Sequence, residues 1–345
     1  MTGPLDGQVA LVAGATRAAG RGIALELAAA GAKVYCTGRS VRGAPATPGR
    51  PETIEETAEM IAAAGGTAVA LRVDHQVEAE VEALAERIRV DEGRLDVLVN
   101  DVWGGDAAID WGAKFWTLDV EAVRRLVDQA VFSHLITARR LAPMMVEAGR
   151  GLIVEISDGA LNGYRGQLLY DLVKASVIRL AYAMAWDLAP TGVTALALSP
   201  GFLRSEAILE GFGVTEANWR DAAKDHPDFA LSETPRFIGR AVAALAGDPD
   251  VGAKAGLSLS VGDLADAYGF DDIDGQRPHF WRNVQAWLEP QIAADDALTP
   301  QARFMAEAGY MSMHLTPARA AQSRAYADKL GYRSLGAGLR PIEVT

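Results

Sequence analysis

Residues 9–39 constrain the fold more than any other part of the chain. Residues 9–13 form a short apolar run, which is typical of a strand that is buried on both faces. A turn rich in glycine and alanine follows, and residues 23–30 then predict a helix rich in alanine and leucine. Residues 34–37 predict a second buried strand. This succession of strand, turn, helix and strand predicts the right-handed crossover unit of a parallel sheet.

The turn between the first strand and the helix contains Gly14 and Gly20. Glycine lets the backbone approach a bulky ligand closely, and the start of a helix presents free N–H groups and a partial positive charge. A pyrophosphate fits both properties. Glycines also simply end strands, but the position of this turn between a strand and a helix favours a dinucleotide-binding turn.

Strands and helices continue to alternate along the chain. Apolar runs predict five further strands, at residues 67–73, 96–100, 152–156, 193–198 and 256–261. Helical patterns lie between them, at about residues 52–64, 78–90, 120–148, 168–188 and 236–246. This order predicts a Rossmann-type, doubly wound α/β fold with a mostly parallel seven-stranded sheet and helices on both faces. Ligands of such sheets bind outside the carboxyl ends of the strands.

Length and composition are consistent with one large domain and an extension. The chain has 345 residues, of which 50% are hydrophobic. We expect a catalytic domain over residues 1–277, with a substrate loop region at 203–235, and a C-terminal extension over residues 278–345. Aromatic residues in that extension, which is too short for its own core, favour a subunit contact and a homo-oligomer, either a dimer or a tetramer. Covering the active-site mouth and padding the surface are the alternatives.

Charge and cysteine content exclude several classes of function. The net charge of −12 argues against binding to nucleic acid or to an anionic membrane. Cys36 is the only cysteine, so no disulfide forms within the chain, and a cytoplasmic location fits. The sequence shows neither a signal-peptide pattern nor a membrane-spanning apolar stretch. The five histidines lack the spacing of metal ligands, so we expect no catalytic metal.

Ser157, Tyr170 and Lys174 form the candidate chemical centre. Residues four apart share a helix face, so the ammonium of Lys174 reaches toward the ring of Tyr170. A nearby cation favours the phenolate and lowers the pKa of the phenol toward neutrality. Ser157, which follows the fifth strand, is placed to donate to an oxygen that the Tyr170 hydroxyl also meets. The tyrosine–lysine pair alone is also common on solvated helix faces, and the upstream dinucleotide turn favours the catalytic interpretation.

With these residues, the chain resembles the short-chain dehydrogenase/reductase family over roughly residues 7–275, and within it the branch of dehydrogenase/reductase member 1. The motifs that carry the resemblance are GQVALVAG at 7–14, GRGIALEL at 20–27, VYCTGR at 34–39, GRLDVLVN at 93–100, Ser157, the Tyr170/Lys174 pair, Pro200-Gly201, and Asp263, Tyr268 and DIDG at 272–275. The family implies Tyr170 as general acid or base, Lys174 as the group that lowers its pKa and holds the nicotinamide ribose, and Ser157 as the group that orients the substrate oxygen.

The resemblance also implies a cofactor site. Its residues in this sequence are Gly14, Thr16, Arg17, Ala18, Ala19, Gly20, Gly38, Arg39, Asp74, His75, Asn100, Pro200, Gly201 and Leu203. The glycine turn lines the pyrophosphate, Asp74 hydrogen-bonds the adenine, and Asn100 holds the central strand beside the cofactor. The residues after the sixth strand face the nicotinamide.

The choice of cofactor is argued from charge. An acidic residue after the second strand binds the ribose hydroxyls of NAD and repels a 2′-phosphate. Gly38 and Arg39 stand there instead, and Arg17 lies in the glycine turn. Two guanidinium groups favour NADP over NAD, although both arginines are alternatively only solvated.

Three positions depart from the family pattern. Ala18 replaces a glycine of the turn, and residues 100–103 are Asn-Asp-Val-Trp where the family has Asn-Asn-Ala-Gly. The helix asparagine that relays protons to the lysine has no match, and the alignment places Ala130 there. These departures leave a second hypothesis open, a catalytically silent NADP-binding sensor or scaffold subunit.

The substrate is predicted only in class. We expect a small carbonyl or alcohol compound in an apolar pocket. The aromatic and apolar side chains that fit such a wall are Trp103, Trp111, Phe115, Trp116, Phe202, Leu209, Phe212 and Trp219. Each of them fits an ordinary core position as well.

Overall fold

The computed structural model describes residues 3–47, 49–159 and 165–283. Within these residues seven strands form one sheet in the order 3-2-1-4-5-6-7, and every neighbouring pair is parallel. The strands are β1 (Val9–Ala13), β2 (Lys33–Gly38), β3 (Thr67–Arg72), β4 (Val97–Asn100), β5 (Gly151–Ile156), β6 (Val193–Ser199) and β7 (Ser258–Ser260). The strand order reverses between β1 and β4, which is where such sheets bind their ligands.

Helices cover both faces of the sheet, as the sequence predicts. They are α1 (Ala18–Ala29), α2 (Ile54–Ala63), α3 (Glu78–Glu92), α4 (Val120–Val127), α5 (Ser133–Ala148), α6 (Leu168–Leu188), α7 (Glu206–Gly211), α8 (Pro235–Ala246) and α9 (Val261–Tyr268). A turn of π-helix, Asp128–Phe132, joins α4 to α5. None of the helices in the described part of the chain is long and apolar enough to cross a bilayer.

The predicted doubly wound fold is confirmed, with differences at element boundaries. The predicted strand at 256–261 is shorter, because the Ser260 side chain accepts a hydrogen bond from the Asp263 N–H and thereby starts α9. Helix α1 begins at Ala18, five residues before the predicted start. Most of the C-terminal extension, residues 284–345, lies outside the described residues.

Two apolar clusters fill the space on either side of the sheet. One lies under α1 and α8 and includes Ile23, Phe237 and Val242. The other lies under α3 and α5 and includes Leu84 and Leu141. The strands are buried on both faces, so alternate residues of the same strand belong to the two clusters. The carboxyl ends of the strands are therefore held between two closely packed layers.

Helices α1 and α8 pack with their backbones in contact. A β-carbon at Gly22 would lie 1.8 Å from the carbonyl oxygen of Pro235, and one at Gly239 would lie 2.4 Å from the carbonyl oxygen of Gly22. These atoms belong to the main chain, so no side-chain rotation relieves the overlap. Helix α1, which follows the glycine turn, is therefore fixed in position by its contact with α8.

We expect Gly22→Ala to lower the free energy of unfolding by about 3 kcal/mol or more, because the two helices must move apart. Chemical denaturation of the purified variant measures this change. Gly252→Ala is the control, since its added methyl group meets nothing closer than 3.8 Å, and its unfolding free energy should stay within about 1 kcal/mol of the parent. Equal stabilities of the two variants would contradict the packing argument.

Candidate active site

A cavity of about 550 Å³ lies along the carboxyl ends of the strands. The loops that follow β1, β2, β4, β5 and β6 all contribute to its wall, and the cavity runs from the glycine turn to Tyr170 and Lys174. The predicted dinucleotide turn and the predicted chemical centre therefore share one continuous space.

The glycine turn is tight because backbone segments meet there. Gly14 has a φ of +98°, and a β-carbon on it would lie 2.4 Å from the carbonyl oxygen of Asp101. A β-carbon on Gly20 would lie 2.2 Å from the carbonyl oxygen of Gly14. Both glycines are thus required by packing. Ala18 adopts a left-handed φ of +47°, where a side chain costs roughly 1–2 kcal/mol.

The amino end of α1 already interacts with a carboxylate. The Ala18 N–H donates to Glu206 at the start of α7 over 3.0 Å. Glu210 of α7 forms an ion pair with Arg50 over 2.6 Å, which ties the same helix to the loop after β2. A negatively charged group on this N–H is what a pyrophosphate-binding helix start requires, so the donor set of the turn fits a phosphate ligand. Sequence reasoning did not identify Glu206.

The far end of the cavity lies beyond β2, where Gly38, Arg39 and Asp74 form the wall. The Arg39 guanidinium lies 3.8 Å from the Asp74 carboxylate, and the Arg17 guanidinium donates to the Thr47 hydroxyl over 3.2 Å. Both predicted arginines therefore face the cavity. Thr16 and Ala19 also contribute to the wall, whereas Gly20 lies behind it.

His75 lies at the edge of the cavity, but its ring is held from behind. One ring nitrogen lies 2.9 Å from the Thr37 hydroxyl and the other 2.8 Å from the Thr137 hydroxyl. Burial lowers the pKa of His75 to about 3. The histidine is therefore neutral at physiological pH and links β2 to α5.

Asn100 supports the central strands from within the protein. Its amide donates to Glu155 of β5 over 2.7 Å, and the same buried carboxylate lies 2.6 Å from a ring nitrogen of His134. The other ring nitrogen of His134 lies 3.0 Å from the carbonyl oxygen of Val102. Asn100 is thus buried behind the cavity wall in a polar cluster that sequence reasoning did not find, and its support of the strand beside the cofactor stays a prediction.

Tyr170 lines the cavity, and its hydroxyl has a carboxylate partner. It donates to Oδ2 of Asp158 over 2.5 Å, and the Arg165 guanidinium donates to the same oxygen over 2.8 Å. The Lys174 ammonium lies 4.2 Å from the ring centre of Trp103 and 5.6 Å from that of Tyr170. The predicted closeness of Tyr170 and Lys174 is therefore observed, whereas Asp158 was not predicted.

Ser157 does not take the position expected for it. It lines the cavity, but its hydroxyl donates to the main-chain carbonyl of Lys174 over 2.7 Å. Consecutive residues of an extended chain point to opposite sides, so Asp158, and not Ser157, turns toward the phenol. The expected sharing of one oxygen between Ser157 and Tyr170 is therefore replaced by the Asp158–Tyr170 hydrogen bond.

The charges around Tyr170 also act against the expected shift. Burial, and then the Asp158 carboxylate, raise the pKa of Tyr170 well above its ordinary value. Burial lowers the pKa of Lys174, and the nearby carboxylates of Asp158 and Asp101 oppose that shift. The lysine is therefore close enough to interact with the phenol, but the dominant influences on Tyr170 are desolvation and Asp158.

Asp101 occupies the junction between the turn and the chemical centre. Burial raises its pKa to about 7, against the lowering influence of Lys174, His134 and the Gly20 N–H. The carboxylate therefore changes its charge near neutral pH. It stands at the second position of the Asn-Asp-Val-Trp sequence that departs from the family pattern.

Part of the predicted aromatic wall lies at the cavity. Trp111 and Trp103 pack against Tyr170 with ring centres 5.2 and 5.6 Å away, and Phe202 also lines the space. The other predicted side chains lie elsewhere: Phe115 and Trp116 are exposed, and Leu209, Phe212 and Trp219 pack around Phe229.

The loop after β6 contributes Pro200, Gly201 and Leu203 to the cavity wall, and their contact with the nicotinamide stays a prediction. The Trp281 indole N–H donates to the carbonyl oxygen of Pro200 over 2.7 Å, and Phe280 reaches the cavity. The first residues after the predicted boundary at 277 therefore pack on the site, which favours the alternative that the extension covers the active-site mouth, whereas the subunit contact stays a prediction.

Ala130 is buried in an apolar cluster with Leu126, Leu169 and Val173, and so offers no polar side chain to a proton relay. The preceding residue, Gln129, lines the cavity and donates to the carbonyl oxygen of Trp103 over 2.5 Å. In the described residues no group of three or more histidine, cysteine, aspartate or glutamate side chains is arranged to hold a metal ion.

Comparison with known proteins identifies similar chains. The sequence profile of a family described as short chain dehydrogenase matches residues 8–210. The chain is 37% identical over 281 residues to the dehydrogenase/reductase SDR family member 1 of Mus musculus, which covers 80% of this chain and 86% of that protein. The family match over residues 8–210 includes both the glycine turn and the tyrosine–lysine pair.

Two solved structures share the fold at 27% sequence identity. One is a 7 alpha-hydroxysteroid dehydrogenase complexed with NADH and 7-oxo glycochenodeoxycholic acid, with a TM-score of 0.60 over 74% of this chain and 93% of that chain. The other is a metagenomic short-chain oxidoreductase in complex with NADP, with a TM-score of 0.55 over 72% of this chain and 94% of that chain.

We expect Asp101→Asn to stabilise the protein increasingly as pH rises. The folded-state pKa of about 7 lies above the ordinary 3.8, so the parent loses stability as pH rises through this interval, by up to about 1.4 kcal/mol per pH unit. The amide lacks this titration. Urea denaturation at several pH values measures the difference in unfolding free energy.

The exposed Asp228→Asn is the matched control for this comparison, because its carboxylate is solvated in both states. Its stability difference from the parent should be constant across the same pH range. A constant difference for Asp101→Asn as well would contradict the assignment.

Proposed function

The chain belongs to the short-chain dehydrogenase/reductase family, and from that premise we propose that it is an oxidoreductase that transfers a hydride between NADP(H) and a carbonyl or alcohol substrate. The observation that supports this most strongly is the shared cavity. The cavity connects the glycine turn, which suits a pyrophosphate, with Tyr170 and Lys174. The Lys174 nitrogen lies 5.6 Å from the centre of the Tyr170 ring.

The residues of the cavity fit a dinucleotide along its length. In this proposal the N–H groups at the start of α1 hold the pyrophosphate, in the place where Ala18 now meets the Glu206 carboxylate. Asp74 and Arg39 hold the adenosine end, and Pro200 and Leu203 hold the nicotinamide end. When bound, the cofactor supplies or accepts the hydride.

Tyr170 is the proposed general acid in reduction and general base in oxidation. Tyr170 lines the cavity and its ring packs against Trp103 and Trp111, so in this proposal a substrate oxygen in the apolar space meets its hydroxyl. Lys174 holds the nicotinamide ribose, and its nitrogen lies 5.6 Å from the centre of the Tyr170 ring. The substrate is proposed to be a small, mainly apolar carbonyl or alcohol compound, consistent with the aromatic wall.

The competing proposal is an NADP-binding sensor or scaffold subunit without turnover. Ala18 in a left-handed conformation and the apolar position of Ala130 favour it. The cavity position of Tyr170 and Lys174 favours the enzyme. A homo-oligomer and a cytoplasmic location both stay predictions.

Turnover separates the two proposals. We expect the full chain to oxidise NADPH in the presence of at least one member of a panel of ketones and aldehydes. Tyr170→Phe should lower kcat about 100-fold or more while NADPH still binds, because the variant lacks the proton donor. Absorbance of NADPH measures the rate, and cofactor fluorescence measures binding. Binding without turnover across the panel would instead favour the scaffold.

We expect NADPH to bind more tightly than NADH, through Arg39. Arg39→Ala should weaken NADPH binding about 10–100-fold, the equivalent of one charge-assisted hydrogen bond, and change NADH binding little. The Kd values come from cofactor fluorescence titrations. Arg42→Ala is the control, because this neighbouring arginine is exposed and pairs with Glu59. Equal Kd values of the parent protein for the two cofactors would remove the NADP assignment.

A further inference from the structure

We propose that Asp158 is the terminal proton acceptor of a two-step relay, in which Tyr170 passes its own proton to Asp158 while it takes the proton of an alcohol substrate. The proposal rests on the proposed oxidoreductase function. It assigns a role to a carboxylate that neither the family motifs quoted above nor the expected Ser157 arrangement includes.

The hydrogen bond is already formed in the direction that the relay needs. The phenol O–H donates to Oδ2 of Asp158 over 2.5 Å, a distance typical of a hydrogen bond from a hydroxyl to a charged acceptor. The proton of Tyr170 is therefore aimed at Asp158 and not into the cavity. Tyr170 and Asp158 both line the cavity, so a substrate hydroxyl bound there can donate to the phenol oxygen.

The surrounding charges keep the acceptor in place. Arg165 donates to the same Oδ2 over 2.8 Å, and its guanidinium lies 4.5 Å from the centre of the Trp281 ring. Lys174 is the second cation near the pair, and the carboxylates of Asp106 and Asp101 are the nearby anions. Asp158 is thus held by a cation on one side and by the phenol on the other.

Electrostatic repulsion gives the relay its physical reason. Asp158 accepts hydrogen bonds from both Tyr170 and Arg165, and a phenolate beside an ionised carboxylate is disfavoured. A mechanism that stores the negative charge on Tyr170 must overcome this repulsion. Transfer of the phenol proton to Asp158 as the substrate proton arrives avoids it, because Tyr170 remains a neutral phenol throughout.

The step balances in atoms and charge. In oxidation, the alcohol O–H bond breaks and its proton binds the Tyr170 oxygen, while the phenol O–H bond breaks and that proton binds Oδ2 of Asp158. The carbinol C–H bond breaks, and its electron pair leaves as the hydride that the proposed function assigns to the cofactor. The products are a carbonyl, a neutral Tyr170 and a protonated Asp158. Reduction reverses each transfer.

The first test needs no substrate. We expect Asp158→Asn and Asp158→Ser to lower the pH at which Tyr170 ionises by at least about one unit, because both remove the negative acceptor. Ultraviolet titration of tyrosinate, as a difference spectrum against the same variant with Tyr170→Phe, measures this shift. Asp187→Asn removes an exposed carboxylate from the far end of α6 and should leave the titration unchanged. Unchanged ionisation in both Asp158 variants would overturn the coupling on which the relay depends.

The second test follows alcohol oxidation with NADP+ and the secondary alcohol of whichever ketone in the panel reacts fastest. We expect kcat of the parent to change little between about pH 6 and pH 8, because no phenolate has to form. In Asp158→Ser and Asp158→Asn it should fall about tenfold per pH unit toward acid, since Tyr170 must then ionise. The dependence of kcat on the fraction of heavy water should indicate two protons in transfer in the parent and one in the variants.

The outcomes distinguish the two proposals. If the parent and the Asp158 variants turn over with the same pH profile and the same isotope dependence, the relay is wrong. The proposed oxidoreductase function would still hold. If the parent binds the cofactor tightly but turns over no substrate, both the relay and the oxidoreductase function are wrong. A loss of the folded state in Asp158→Ser is checked by circular dichroism, and Asp158→Asn, which keeps the size of the side chain, then provides the comparison.

Discussion

The close approach of three backbone segments at the carboxyl edge of the sheet determines the rest of the site. Gly14 at the end of β1, Gly20 in α1 and the residue after β4, Asp101, meet so tightly that a single β-carbon on either glycine would overlap a carbonyl oxygen. Contact with α8 on the other side of α1 holds the helix in this position. The start of the helix is thereby fixed at the bottom of the cavity, where the Ala18 N–H donates to the Glu206 carboxylate.

The parts of this arrangement that depend on periodicity were predictable from the sequence. Strands buried on both faces give continuous apolar runs, and glycine between a strand and a helix indicates where the backbone must turn sharply. These signals are local and redundant. Helix α6 was accordingly predicted at its observed bounds, Leu168–Leu188, and strand β1 at Val9–Ala13. Boundaries were missed where a cap decided them, as at Ser260, because a single hydroxyl shifts the start of a helix without changing the apolar pattern.

The direction of individual side chains could not be predicted in the same way. Ser157 and Asp158 are neighbours at the end of β5, and spacing along the chain places either of them near Tyr170. Which one faces the phenol depends on the pleat of the strand and on the backbone carbonyl of Lys174, which accepts the serine hydroxyl. Similarly, the carboxylate of Glu206 reaches Ala18 from a segment 188 residues away in sequence. Contacts of this kind arise from the tertiary fold and leave no local pattern.

Donor groups of the cavity pair with carboxylates of the protein itself, and the same donors suit a bound phosphate. Before any ligand binds, the Ala18 N–H interacts with Glu206 and the Arg39 guanidinium lies near Asp74. A phosphate that reached these groups would exchange one anionic partner for another and would not satisfy an orphaned donor. Its net binding free energy is therefore a difference between two charge-assisted interactions, which is smaller than the phosphate interaction taken alone. Because Glu206 lies on the short helix α7 and Glu210 of that helix pairs with Arg50, such an exchange would link the start of α1 to the loop beyond β2 and to the segment that contains α7.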